Sequence, residues 1–230
     1  MATIPQPFPP TYPITGKIIP NKTVLYLDPF NSTDGKIIDN SGYGNHAIVS
    51  GPADKTLSYG KAKYFDAFDD YISISNSNTL DITSAPLSIF MWIKVASTAG
   101  TGYMICKNLS SAFNVQYGMY FVTASNTVQT NLNSKNVVAT DAISRENWHC
   151  VGFTYDGINV QNYVDGNKSG ALTPFTDPLP TQPYLRIGRR ETGTAYFKGS
   201  IGEVWIIRDV TSRMAKNLFE ETAWKYGVKI

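Results

Sequence analysis

From Thr23 onward the chain runs in short stretches of alternating apolar and polar side chains, separated by clusters of Asp, Asn, Gly and Ser. Ala62-Lys-Tyr-Phe-Asp and Asp70-Tyr-Ile-Ser-Ile-Ser change character at nearly every residue, the period of a strand with one face buried. Leu87-Ser-Ile-Phe-Met-Trp-Ile-Lys-Val is almost continuously apolar and predicts a strand covered on both faces. Further strands are expected at 23–27, 102–107, 115–123, 127–132, 136–139, 148–155, 159–164, 184–188 and 195–208, with 28–35 as a loop. Asp156-Gly157 and Asp165-Gly166 each place a residue tolerant of positive φ at the second turn position, so they predict successive hairpins around 158–164. One helix is expected after Ser212 as N-cap: Met214, Leu218, Phe219 and Thr222 share a face, and Gly227 stands where a left-handed cap belongs. Many short strands and one short C-terminal helix predict an all-β chain folded as a two-sheet antiparallel β-sandwich. No second domain and no internal repeat is visible.

Composition narrows the function classes. The net charge of +2 gives no large field of either sign, so no nucleic-acid partner is expected. No apolar run approaches the roughly 20 residues of a membrane span, so no membrane insertion is expected either. Hydrophobic residues at 42% suffice for a full core, and glutamate occurs only at 146, 191, 203, 220 and 221, poor material for helices. Residues 1–22 hold six of the 13 prolines, which predicts an extended N-terminal arm, either a flexible leader or a strap onto other structural subunits or a second copy. No signal peptide is visible in the first residues. Two Cys and two His exclude a zinc-finger array or an iron–sulfur protein. Cys106 and Cys150 fall in predicted strands and would pair only if those strands were neighbours; two buried free thiols is the simpler reading.

The order of motifs carries a resemblance. Asp39-Asn-Ser-Gly-Tyr-Gly-Asn-His-Ala47, Ala62–Ile74, Leu87–Lys94, Asn147-Trp-His-Cys-Val-Gly-Phe-Thr-Tyr-Asp-Gly157, Tyr163-Val-Asp-Gly166, Leu185-Arg-Ile-Gly188 and Phe197–Val204 follow one another as in the laminin-G-like, concanavalin-A-like jelly-roll domains of extracellular, bacterial and phage proteins. The resemblance implies a sandwich domain over 23–230 behind the 1–22 arm. It further implies one structural calcium ion held by Asp39 and Glu203, although Gly202 stands where the family carries a further Asp. Asp69 and Asp70, at a loop rim, are a second candidate pair.

A reaction centre is not expected. The Glu-x-Asp-x-x-Glu strand of the superfamily's glucanases is missing, Glu203 has no acid partner on its strand, and no G-x-S-x-G elbow accompanies His46 or His149. Trp92 and Trp148 read most simply as core. The ligand-binding candidates are loop and strand-end tyrosines able to stack on sugars, Tyr43, Tyr71, Tyr103, Tyr117, Tyr120 and Tyr196, with Asp69 and Asp70 as readers of hydroxyls. Two readings stay open: a non-enzymatic, lectin-like module binding surface glycans, and a structural component of an assembly such as a phage-type virion surface or decoration protein. A carbohydrate-binding accessory module of a secreted glycan-processing system is the alternative. Either way the expected location is a virion or an extracellular surface.

Overall fold

The computed structural model describes residues 22–109, 114–193, 195–211 and 213–230, so Ser212 and all of the arm except Lys22 lie outside the described residues. The chain forms β1 (Thr23–Thr33), β2 (Lys36–Asp39), β3 (Ala47–Ser50), β4 (Ala53–Thr56), β5 (Lys61–Asp66), β6 (Tyr71–Ile74), β7 (Leu87–Val95) and β8 (Gly102–Asn108). It continues through β9 (Val115–Val122), β10 (Thr127–Leu132), β11 (Lys135–Ala139), β12 (Trp148–Tyr155), β13 (Asn159–Val164), β14 (Asn167–Pro174), β15 (Tyr184–Ile187) and β16 (Lys198–Ile207). Helix α1 (Met214–Thr222) and a 3₁₀ turn (Ala223–Tyr226) follow.

Hydrogen bonding links the strands in the order β11-β10-β9-β8-β15-β6-β3-β2-β1-β16-β7-β12-β13-β14, all in antiparallel ladders. This ribbon folds into the two layers of a jelly-roll sandwich, β11 to β3 in one and β1 to β14 in the other, with β2 between them. Strands β5 and β1 share one edge of β16: β5 pairs along Lys198–Ile201 and β1 along Val204–Ile207. The register shifts between them, at Gly202-Glu203.

The core between the layers takes alternate residues from both, among them Ile105, Met119 and Phe121 from one and Met91, Phe153 and Val204 from the other. Strand β7 is covered on both sides, as its apolar run predicts: Ile89, Met91 and Ile93 enter this core, while Phe90 and Trp92 point outward. There α1 closes over them, and Met214, Leu218 and Phe219, the predicted face, form a second core with Tyr26, Trp92 and Trp205. Trp92 stacks on Tyr226 at 4.3 Å between ring centroids, and its indole N–H donates to Thr222 Oγ1 at 2.7 Å. Gly227 takes the left-handed conformation, φ 71°, and ends the 3₁₀ turn.

Two features differ from the expectation, and a third, the state of the cysteines, agrees with the simpler reading. Segment 28–35 is mostly strand, because β1 runs on past a register irregularity near Pro29 and turns only at Asp34-Gly35, both at positive φ. Strands β2, β3 and β4 were not expected, whereas β14 completes the hairpin expected at Asp165-Gly166; β4, Ala-Asp-Lys-Thr, is exposed at every residue, so no alternation marks it. Cys106 on β8 and Cys150 on β12 lie in different layers and are free, buried thiols.

Candidate functional site

Four residues from four strands line up across the outer face of the second layer. Tyr64 of β5 pairs with Ser200 of β16, Ser200 with Lys94 of β7, and Lys94 with Trp148 of β12. Antiparallel partners point the same way, so the row forms a floor. Above it the segment after β4 and the end of the 3₁₀ turn stand as one wall, and Ala96–Thr98 as another, enclosing about 560 Å³. Lys55, Lys94, Lys198 and Lys225 line this cavity together with a single acid, Glu146. A second cavity of about 250 Å³ adjoins it, sharing Leu57, Lys225 and Tyr226 as the partition. Its sides are the rings of Phe30, Tyr59 and Trp224, with Asp28 and Lys61 at the edge. Phe30 is 61% exposed with Lys61 Nζ 5.9 Å from its ring centroid, and Tyr59 is 41% exposed with its ring 5.8 Å from that of Trp224.

The partition is fixed from below. Lys225 Nζ lies 2.6 Å from Glu203 Oε1 and 3.4 Å from Asp28 Oδ2. Tyr26 donates its hydroxyl to the same Glu203 oxygen at 2.6 Å, and the Glu203 backbone N–H donates to Tyr226 Oη at 2.8 Å. Burial raises the Glu203 carboxyl above the usual carboxylate range, an effect the Lys225 ammonium partly offsets. Burial alone would lower Lys225, but the charges of Glu203 and Asp28 outweigh it and hold the ammonium protonated above its ordinary range.

This arrangement corrects the expected calcium site. Asp39 and Glu203 are not brought together; they bind opposite ends of Tyr26, Asp39 at its backbone N–H and Glu203 at its hydroxyl. The Asp39 oxygens also accept from Ser41 N–H, Ser41 Oγ and Asn45 N–H. Glu203 already has an ammonium against it. At Gly202, where the family's Asp would stand, a Cβ would meet Tyr226 Oη at 2.3 Å. The donor set does not fit a calcium ion.

The remaining predicted residues scatter. Tyr117 is fully buried in the core with its hydroxyl on the Leu80 carbonyl, so it is structural and cannot meet a ligand. Tyr43 stands 56% exposed on the loop after β2. Asp69 and Asp70 do gather with Asp66, their carboxylates within 4.8 Å, and Asp70 Oδ2 accepts from Asp66 N–H. Burial raises the Asp70 carboxyl. Tyr103 and Tyr196 meet on the outer face of the first layer, together with Tyr71 and Tyr120. There Arg189 lies over Tyr71 and Tyr196, Arg190 over Tyr103, and Tyr103 rests on Tyr120 at 5.0 Å. Burial pushes the Tyr103 hydroxyl up to about 12. These rings are packed on one another and on guanidiniums.

One hydrogen-bonded line was set aside in the sequence and is present. Ser144 Oγ lies 2.7 Å from His149 Nε2, and His149 Nδ1 lies 2.7 Å from Asp165 Oδ2. Asp165 sits in the β13–β14 turn at φ 50°, and its other oxygen accepts from Cys150 N–H, so the line ties that turn to β12. The residues sequence reasoning missed are Phe30, Tyr59, Trp224, Lys55 and Lys198. Trp148, read as core, is only half-buried and belongs to the cavity floor.

Comparison with known proteins places the fold. A family model described as the concanavalin A-like lectin/glucanases superfamily matches residues 65–214. A search of curated proteins finds no match. Among solved structures, Trypanosoma rangeli sialidase in complex with sialic acid superimposes with a TM-score of 0.69 at 14% identity, over 90% of this chain and 34% of that one. This chain therefore spans about a third of the sialidase. Domain 4 of an extracellular arabinanase from Geobacillus stearothermophilus, in complex with arabinotriose, gives a TM-score of 0.64 at 15% identity, over 86% of this chain and 97% of that one. The ligand-binding domain of botulinum neurotoxin serotype D, in complex with N-acetylneuraminic acid, gives 0.68 at 16%, over 87% and 50%.

Proposed function

We propose, for a chain that belongs to the concanavalin A-like lectin/glucanases superfamily, that it is a non-catalytic module binding saccharides in the paired cavities beside the 3₁₀ turn. One observation carries this reading: Phe30, Tyr59 and Trp224 present their rings around a concavity whose edge holds a carboxylate and an ammonium. Sugar rings offer C–H faces that stack on aromatic rings and hydroxyls that Asp28 and Lys61 can bind, the mix of apolar body and few polar groups that small-ligand sites use. The arabinotriose and N-acetylneuraminic acid complexes of structurally similar domains add support for a saccharide.

The acids nearby favour binding without turnover. Glycoside hydrolysis needs one carboxyl as acid and a second as nucleophile or base across the scissile bond. Here Asp28 and Glu203 share the Lys225 ammonium, and Glu146 accepts from Ser97 N–H. Calorimetric titration of a panel of neutral and acidic oligosaccharides tests the reading. At least one binds, Trp224→Ala weakens it about tenfold, the loss of about 1.4 kcal/mol, and no reducing ends appear. A panel with no binder, or binding that Trp224→Ala leaves unchanged, refutes it.

A further inference from the structure

The larger cavity holds more uncompensated positive charge than the aromatic one, where Lys61 alone makes no ion pair among the described residues. Of its four lysines, Lys225 is neutralised by Glu203 and Asp28, and Lys94 lies 3.9 Å from Glu146. Lys55 and Lys198 make no ion pair among the described residues, and both face the cavity. They stand over a floor that includes the indole of Trp148. A chain of sugar rings crossing from Trp224 past the Leu57–Tyr226 partition would therefore meet an indole again, now beneath uncompensated positive charge.

We infer that the saccharide bound here is acidic, its carboxylate or sulfate group taken by the side chains of Lys55 and Lys198, the lysines of the larger cavity that make no ion pair among the described residues. The inference rests on the saccharide-binding reading above. A neutral ligand leaves both ammonium groups without a counter-charge, whereas an anionic one forms charge-assisted hydrogen bonds with them. The aromatic cavity supplies affinity for any sugar, and the lysine cavity selects the charged one.

Titration with three probes separates the possibilities: a trigalacturonate, a sulfated galactan trisaccharide that carries no carboxylate, and a neutral galactose trisaccharide. At 50 mM salt at least one acidic probe binds about tenfold or more tighter than the neutral one. The double variant Lys55→Ala/Lys198→Ala removes that preference, lowering the affinity for the acidic probe by about tenfold more than that for the neutral one. Raising the salt to 0.5 M narrows the gap, because screening acts on the charged pair and not on stacking. Whichever acidic probe binds tighter identifies the group as carboxylate or sulfate. Equal binding of acidic and neutral probes, still lost in Trp224→Ala, overturns the acidic preference and leaves saccharide binding standing. Failure of all three probes removes both. Lysine-dependent binding of duplex DNA or phosphatidylserine vesicles, with no saccharide bound, also overturns the inference by making the cavity a phosphate site.

Discussion

Replacing Glu203 with Met breaks the ion pair under the cavity partition and tests how that wall is held. Glu203 is fully buried, with Lys225 and the Tyr26 hydroxyl on one oxygen. Removing one member of a buried pair typically costs about 3–5 kcal/mol, mostly the penalty of a stranded charge. Lys225 keeps Asp28 at 3.4 Å and is partly open to solvent, which points to the lower end, about 3 kcal/mol. For a chain of this length that is a fall of about 6–12 °C in the melting temperature. Lys225→Met added to Glu203→Met removes the stranded ammonium and leaves the Tyr26 hydroxyl and the largely buried Asp28 carboxylate without that partner, a residual of about 2 kcal/mol. Lys225→Met alone strands the buried Glu203 and also costs about 3 kcal/mol; urea denaturation of wild type, both single variants and the double then gives a coupling of about 4 kcal/mol, with the double more stable than Glu203→Met alone. A Glu203→Met variant within about 0.5 kcal/mol of wild type, or a double variant whose cost is the sum of the singles, refutes the reasoning.

Three further outcomes follow from other parts of the molecule. Gly152→Ala places a Cβ 2.2 Å from the Phe90 ring and 2.4 Å from the Ile89 carbonyl oxygen, so calorimetry should show a loss of about 1–3 kcal/mol; an unchanged melting temperature would contradict the packing of β7 on β12. Burial pulls Lys107 down to about 8 from its ordinary 10.5, so between those values the unfolded chain binds the extra proton and stability rises with pH. Urea midpoints at pH 8, 9 and 10 should climb in wild type relative to Lys107→Met, and parallel profiles would count against that environment. Cys106 and Cys150 are buried, with thiols pushed up by that burial, so a disulfide-exchange reagent should find two thiols only in denaturant. Rapid reaction in the native state would place one of them at the surface.

The parts of the fold legible in the sequence are those where one local constraint dominates. Asp165-Gly166 makes its turn because both residues take positive φ, and β7 lies where an unbroken apolar run must be covered twice. The helix face is legible because Met214, Leu218 and Phe219 have one surface to bury against. Strand β4 is not, since edge pairing with β5 orders a segment whose side chains all face water. The binding groove is hidden for a different reason. Tyr64, Lys94, Trp148 and Ser200 become a row only through the registers of β5, β7, β12 and β16. Trp148 looks like core in isolation because its half-buried state depends on what the 3₁₀ turn leaves uncovered. Loop position alone does not show which tyrosines share a surface: Tyr103 and Tyr196 lie beside Arg190 and Arg189, and Tyr117 is inside the core.

The four tryptophans give the most direct test of the groove. Trp92 and Trp205 are fully buried beneath or beside α1, while Trp148 and Trp224 line the two cavities. With ¹⁵N-labelled indoles, titration with a binding oligosaccharide should shift the Trp148 and Trp224 signals and leave those of Trp92 and Trp205 in place. Saturable binding that moves neither cavity indole, or that perturbs instead the backbone around Tyr103 and Arg190, would contradict the assignment of the groove as the saccharide site.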